Sequence, residues 1–289
     1  MVSKDTRFRI ALVQLRSGRE VQPNLEAAEA LIRQAAAGGA KFVLTPENTA
    51  LMELKRKRLL EITEPEQDNA VTARFMGLAQ ELGIWLNIGS TGVKLSPEKI
   101  ANRSLLIDPE GALVARYDKI HMFDVDLPNG ETYRESGHIE PGREAVLADL
   151  PWGRLGMTIC YDLRFPGLYR ALAQAGADFI SVPSAFTKQT GEAHWRVLLR
   201  ARAIETGCFI FAPAQGGPHE TGRDTYGHSL VVSPWGEVVA EAGIDPGVLF
   251  ADIDSAQIAA ARAKIPSLGH DRAFELVEGG IPQNLKAAS

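Results

Sequence analysis

The chain has 289 residues, of which 45% are hydrophobic, 23% charged and 7% aromatic. Such a composition excludes a disordered chain, and this length buries roughly three quarters of the unfolded surface without disulfide staples. Lys and Arg number 31 against 36 Asp and Glu, a net charge of −5, which argues against sequence-blind nucleic-acid binding but leaves room for a local basic pocket.

Residues 8–15, Phe-Arg-Ile-Ala-Leu-Val-Gln-Leu, read as a buried strand. Residues 23–37 place Leu25, Ala28, Leu31, Ile32 and Ala35 at helical spacing, and Gly38-Gly39 stops the helix. Residues 42–44 are a short apolar strand running into the loop Thr45-Pro46-Glu47. The basic run Lys55-Arg56-Lys57-Arg58 sits among Leu54, Leu59 and Leu60, so a solvated helix face is a better reading than a nucleic-acid patch. A helix over 67–82 ends at Gly83, and 84–89 is the next strand. Strands alternating with helices of this length predict an α/β layout. Residues 103–107 and 113–117 flank Asp108-Pro109-Glu110-Gly111 as a β-hairpin. Residues 123–144 contain Pro128, Gly130, Gly137, Pro141 and Gly142, so an irregular loop is expected there. Loops that long usually have a function, such as covering a site.

The second half echoes the first. Strands at 155–159, 179–182 and 208–212 alternate with helices at 166–174 and 193–206, and a hairpin follows at 229–240 around Ser233-Pro234-Trp235-Gly236. Ala40 to Pro46 and Ala177 to Pro183 share an A-x-F-[VI]-x-x-P pattern. Chance recurrence of turn motifs is the alternative to a true repeat. Two similar halves, each with its own sheet and helices on one face only, predict a four-layer αββα sandwich of the α/β class. No Pro/Ser-rich linker separates the halves, so one domain is expected over 1–289, with its core at about 7–270 and a tail at 271–289.

Only Cys160 and Cys208 are cysteines, which leaves no disulfide framework. The N-terminal segment is polar and charged, without the apolar stretch of a secretory signal. A cytoplasmic setting is therefore expected. No apolar run approaches the roughly 18 residues of a membrane span, so no membrane partner is expected.

Cys160 closes the strand at 155–159 and precedes Tyr161-Asp162-Leu163-Arg164-Phe165-Pro166 and a helix. A strand-to-helix elbow exposes a side chain beside free backbone N–H groups, which suits a nucleophile. Free cysteine is otherwise a small buried hydrophobe, and that is the reading for Cys208 among apolar neighbours. A thiol nucleophile needs a base. None of the six histidines is marked out for it. Glu47, at the end of an apolar strand, sits where α/β sheets place their sites, although a solvated loop acid is the commoner meaning of such a residue. Lys119, in Tyr117-Asp118-Lys119-Ile120-His121, is either a surface charge or a cation aimed at an oxyanion.

These motifs together, with Pro183-Ser184-Ala185-Phe186, Ala193-His194-Trp195 and Leu199 to Glu205, resemble the nitrilase superfamily of carbon–nitrogen hydrolases over about residues 7–270. The resemblance implies a Glu–Lys–Cys triad at Glu47, Lys119 and Cys160, an additional glutamate at Glu135, and the αββα fold. It implies no cofactor and no metal. Cys-Tyr-Asp-Leu-Arg-Phe-Pro at 160–166 looks like the amidase branch that holds deaminated glutathione amidases and omega-amidases; nitrilases proper carry Cys-Trp-Glu. The expected activity is hydrolysis of a small carboxylate-bearing amide through a thioester, with ammonia released. An omega-amidase, or an N-acyltransferase using the same acyl-enzyme, is the alternative; a non-catalytic scaffold sits poorly with an intact triad. Tyr161, Arg164, Phe186 and Thr187 are the expected substrate-binding residues. Arg164 would grip the substrate carboxylate, or else form an internal salt bridge to Asp162 or Glu205. The expected partners are a small-molecule amide and further copies of the chain, as a homodimer or higher homo-oligomer.

Overall fold

The computed structural model describes residues 6–128 and 130–276. The first half runs β1 (Arg7–Gln14), α1 (Val21–Ala37), β2 (Phe42–Leu44), α2 (Arg56–Ile62), α3 (Ala70–Leu82), β3 (Trp85–Lys94), β4 (Ile100–Ile107) and β5 (Leu113–Asp118). A ribbon follows, β6 (Asp124–Asp126) with β7 (Thr132–Arg134). The second half runs β8 (Val146–Leu150), β9 (Gly153–Met157), α4 (Pro166–Gln174), β10 (Phe179–Ser181), the single turn α5 (Lys188–Thr190), α6 (Arg196–Thr206) and β11 (Phe209–Ala212). Then come β12 (Gly216–Pro218), β13 (Asp224–Tyr226), β14 (Leu230–Val232), β15 (Val238–Glu241), β16 (Gly247–Asp254) and α7 (Ala256–Lys264).

Two six-stranded sheets result, ordered β16-β1-β2-β3-β4-β5 and β15-β14-β11-β10-β9-β8. In each, three parallel strands are followed by an antiparallel pair, so the repeat legible in the sequence is a repeat of topology. β1 shows why the sheets stack. Successive strand side chains point to opposite faces. Phe8, Ile10 and Leu12 join the cluster that contains Leu155, Met157, Phe179 and Phe211 of the other sheet. Ala11 and Val13 join Leu25, Ala28 and Ile32 of α1 and Phe75 and Leu78 of α3. Ring contacts cross between the sheets, Phe8 to Phe179 at 5.5 Å and Phe42 to Phe211 at 6.4 Å. The helices lie outside, giving the αββα sandwich.

Element boundaries follow local chemistry. Asn69 caps α3 by accepting the Thr72 N–H, and Gly83 ends it in a left-handed conformation. The expected helix at 193–206 begins earlier, as α5 and a π-turn at Gly191–Trp195 that leads into α6. The loop expected at 123–144 instead holds the β6–β7 ribbon and a 3-10 turn at Glu135–Gly137. The basic run opens α2 with Lys55, Arg56 and Lys57 exposed, while Arg58 pairs with Glu20 and Glu53.

β16 and α7 have no counterpart in the sequence reading. β16 runs antiparallel to β1 in unbroken register from Arg7↔Asp254 to Gln14↔Gly247, so the last strand completes the first sheet. Of the expected tail at 271–289, Asp271 pairs with Arg170, and residues from 277 onward lie outside the described part. Among the described residues no helix is long and apolar enough to cross a membrane.

Candidate active site

Glu47 lies just beyond β2 and is 3% exposed. Its loop is set by Thr45 and Thr49, whose hydroxyls bond at 2.7 Å, and by the Gly89 N–H donating to the Thr45 hydroxyl at 3.1 Å. Gly89 matters for a second reason. A Cβ there would stand 1.9 Å from the Thr45 carbonyl oxygen and 2.3 Å from the Pro183 side chain. Only glycine lets β3, the Glu47 loop and the end of β10 meet this closely. The solvated reading of Glu47 is therefore overturned.

Lys119 follows β5 and is also buried, at 1% exposure. Its backbone N–H donates to the Asn102 carbonyl at 3.0 Å and its carbonyl accepts from Gly142 at 2.8 Å. Nζ donates to Glu47 Oε1 at 3.0 Å and to both oxygens of Glu135 at 3.0 and 2.9 Å. Glu135 opens the 3-10 turn and also accepts the Phe123 N–H at 2.6 Å. The loop that looked irregular thus delivers the second glutamate.

Cys160 sits at the elbow after β9 with φ +50°. That is the left-handed region, which a non-glycine residue occupies at a cost of about 1–3 kcal/mol. Its N–H donates to the Pro183 carbonyl at 2.9 Å, and its thiol lines the same cavity as Glu47. Glu47 Oε2 in turn accepts the Ala185 N–H at 3.0 Å.

The charges on these three groups reinforce one another. Burial alone would push the Glu47 carboxyl up, but the Lys119 ammonium, the thiol and Arg223 hold it below its ordinary value. Burial would push Lys119 down, yet Glu135 and Glu47 outweigh it and keep its pKa raised. Burial and the neighbouring Glu47 charge raise the Cys160 thiol, against the smaller pull of Lys119. The resting site is therefore an ionised carboxylate beside a protonated thiol and an ammonium, the state in which a carboxylate can act as base.

All eight residues expected from the sequence line one cavity of about 470 Å³: Glu47, Lys119, Glu135, Cys160, Tyr161, Arg164, Phe186 and Thr187. The Arg164 guanidinium lies 5.8 Å from the Tyr161 ring and 5.3 Å from the Phe186 ring, and Nη1 donates to His194 Nδ1 at 3.2 Å. Neither acid proposed as its salt-bridge partner holds it. Asp162 accepts from Tyr117, His121 and Ile159, and Glu205 pairs with Arg202. Thr187 bonds its hydroxyl to that of Thr190 at 2.9 Å and so caps α5 from the cavity wall. Cys208 is fully buried in the core, as its sequence context suggests.

Of the cavity residues that sequence reasoning missed, two stand close to the charged centre. Asn102 Nδ2 donates to Glu47 at 3.0 Å and reaches Glu135 at 3.4 Å. Its signal was available: Asn102-Arg103-Ser104 is a polar triplet inside β4, which is buried throughout. Arg223 lies 5.2 Å from the Tyr133 ring and donates to the Ala185 carbonyl; nothing local marked it.

Comparison with known proteins gives a consistent picture. Residues 9–263 match the carbon-nitrogen hydrolase family. A curated relative from Yersinia enterocolitica, "Deaminated glutathione amidase", is 44% identical over 266 residues, covering 91% of this chain and 92% of its own. The structure of Saccharomyces cerevisiae Nit3, described as a member of branch 10 of the nitrilase superfamily, superposes with a TM-score of 0.83 at 29% identity, covering 93% of this chain and 97% of that one. A mutant amidase from Nesterenkonia sp. AN1, showing Michael addition of acrylamide at its active-site cysteine, gives a TM-score of 0.76 at 29% identity, covering 90% and 98%. With its sandwich of two matched halves and this family match across most of its length, the chain belongs to the carbon-nitrogen hydrolases, the nitrilase superfamily its motifs resemble.

Proposed function

We propose that the chain is a cysteine-dependent amidase acting on a small, linear, carboxylate-bearing amide of the kind named by its deaminated glutathione amidase relatives. One observation carries the reading. The Glu47 carboxylate is bonded to the Lys119 ammonium at 3.0 Å and to the Ala185 N–H at 3.0 Å, and both charged groups share one cavity of substrate size with the Cys160 thiol.

In the first step Glu47 accepts the thiol proton as sulfur attacks the amide carbon. The charge that develops on oxygen is met by the Lys119 ammonium and by the Tyr161 N–H, in the first turn of a short helix where backbone donors lack an upstream partner. Collapse breaks the C–N bond, and Glu47 returns the proton to the departing nitrogen. A primary amide then releases ammonia, and a secondary amide releases a substituted amine. Water, deprotonated by Glu47, attacks the thioester, the carboxylic acid leaves, and the thiol is restored. Glu135 holds Lys119 from the other side and so fixes the ammonium. Arg164, with no acid of its own among the described residues, is the partner for the substrate carboxylate. Tyr161 and Phe186 flank it, and Thr187 shapes the wall.

The reading takes the chain as one domain, supported by the closure of the first sheet by β16. It also takes the protein as a homo-oligomer, supported by apolar side chains left exposed at Val197, Ile204, Trp235 and Ile265. Both cysteines are free, which suits a cytoplasmic setting.

The test is a panel of amides with and without carboxylates, scored for free amine, ammonia and acid. The wild type turns over carboxylate-bearing amides and yields a thioester adduct at Cys160 by mass spectrometry. Cys160→Ala folds but does neither. Full activity in Cys160→Ala removes the mechanism.

A further inference from the structure

The ammonium and the sulfur of this site come from different sheets. Lys119 follows β5 of the first sheet, and Cys160 follows β9 of the second. Their separation is set by whatever ties the two loops together, and one side chain outside the triad does this on both sides.

Asp162 is completely buried. Its Oδ2 accepts the Tyr117 hydroxyl at 2.7 Å and the Ile159 N–H at 2.8 Å. Its Oδ1 accepts the His121 N–H at 3.1 Å and faces His121 Nδ1 at 2.7 Å. Tyr117 lies two residues before Lys119 and His121 two residues after it. Ile159 immediately precedes Cys160. Four donors thus converge on one carboxylate, and they come from both flanks of the lysine and from the residue that leads into the nucleophile. Tyr117, itself 1% exposed, sits two positions from Lys119 along an extended segment, the spacing at which side chains share a face. His121 is stacked on Phe165 at 3.6 Å, which ties the lysine loop to the far end of the elbow as well. The strained φ of Cys160 gives the arrangement a purpose: a left-handed cysteine persists only where its surroundings hold it.

We propose that Asp162 is a positioning residue. Its carboxylate joins the Lys119 strand to the Cys160 elbow and so sets the ammonium-to-sulfur geometry on which attack depends. The proposal rests on Cys160 being the nucleophile. It predicts that loosening this joint reduces chemistry more than binding, because a misplacement of about 1 Å at a reacting group costs up to about 100-fold in rate.

The experiment compares wild type, Asp162→Asn, Tyr117→Phe and His121→Ala with Ile258→Ala. Ile258 is a buried α7 residue that does not line the cavity, and its variant serves as a control for lost stability. Two rates are read: amide turnover as kcat and KM separately, and alkylation of Cys160 by iodoacetamide, located by peptide mapping. The expected result is a drop of about 10- to 100-fold in kcat for Asp162→Asn and a smaller drop for Tyr117→Phe. KM should stay within a few-fold, and Cys160 alkylation should slow in parallel. Ile258→Ala loses melting temperature but keeps both rates. If Asp162→Asn does not fold, Tyr117→Phe and His121→Ala carry the comparison. Variants that melt lower yet match Ile258→Ala in both rates overturn the proposal and leave the nucleophile in place. A wild type whose Cys160 neither alkylates nor turns over amide overturns both.

Discussion

Replacing Lys119 with methionine removes one charge from a site that holds three ionisable partners around it. In the wild type Nζ lies 3.0 Å from Glu47 and 2.9 Å from Glu135. At an effective dielectric of 20, each such contact is worth about 5.5 kcal/mol of attraction. Losing one partner of a buried pair costs roughly 3–5 kcal/mol after relaxation, because a charge is left without its counter-ion. In Lys119→Met the two carboxylates would remain linked only through Asn102. Burial, the largest influence on Glu47, is then opposed only by the thiol and Arg223, and the expected outcome is a pKa that moves from below the ordinary value to above it. The sign of the pH dependence follows. In the wild type the depressed Glu47 contributes stability that is present above its unfolded pKa and lost as pH falls through the folded one. In the variant the raised Glu47 binds its proton more tightly when folded, so stability falls as pH rises from the unfolded value through the folded one. The slope approaches about −1.4 kcal/mol per pH unit for that group. Urea unfolding of both proteins between pH 5 and pH 8 measures the difference. Lys119→Met should lose about 3–5 kcal/mol at pH 8 and much less at pH 5. A stability difference that is constant with pH, or absent, refutes the account of how Glu47 is kept ionised.

Arg164→Ala should lower kcat/KM on carboxylate-bearing amides by about 10- to 100-fold, the value of a charged hydrogen bond, and leave neutral amides near wild type; equal losses on both would mark Arg164 as packing for Tyr161 and Phe186. Asn102→Ala removes the amide that bridges Glu47 and Glu135 and should cost a similar factor in kcat with little change in KM, read by steady-state kinetics on one good substrate. Gly89→Ala puts a methyl group 1.9 Å from the Thr45 carbonyl, and thermal melting should show a loss of about 3 kcal/mol or more together with lost activity.

Legibility differed from residue to residue for physical reasons. The strands around Phe42 and Phe179 and the elbow at Cys160 are local patterns of apolar residues and turns, so the four layers and the candidate nucleophile could be read along the chain, the candidate gaining its weight from the family resemblance. Glu47 could not be ranked by itself. What suits it to the proposed role of base is its burial, its bond to the Ala185 N–H and the Lys119 charge, all supplied by segments distant in sequence. The ribbon β6–β7 escaped because its short strands, Asp-Val-Asp and Thr-Tyr-Arg, lack the apolar run that marks the equally short β2 and β10. β16 contains the apolar run Val248-Leu249-Phe250-Ala251, but its partner is β1, and no local pattern carries that pairing. Arg223 reaches the cavity from a short strand end among polar residues, where a surface arginine would look the same.

The pairing of β16 with β1 also sets an order of events during synthesis. The two strands are separated by some 230 residues, so at about 5–20 residues per second the ribosome needs roughly 10–50 s to deliver the second after the first. Throughout that interval the outer edge of β1 presents unpaired amides and carbonyls, a template for any passing extended segment. A nascent chain stalled before Gly247 would keep that edge open for as long as it persists.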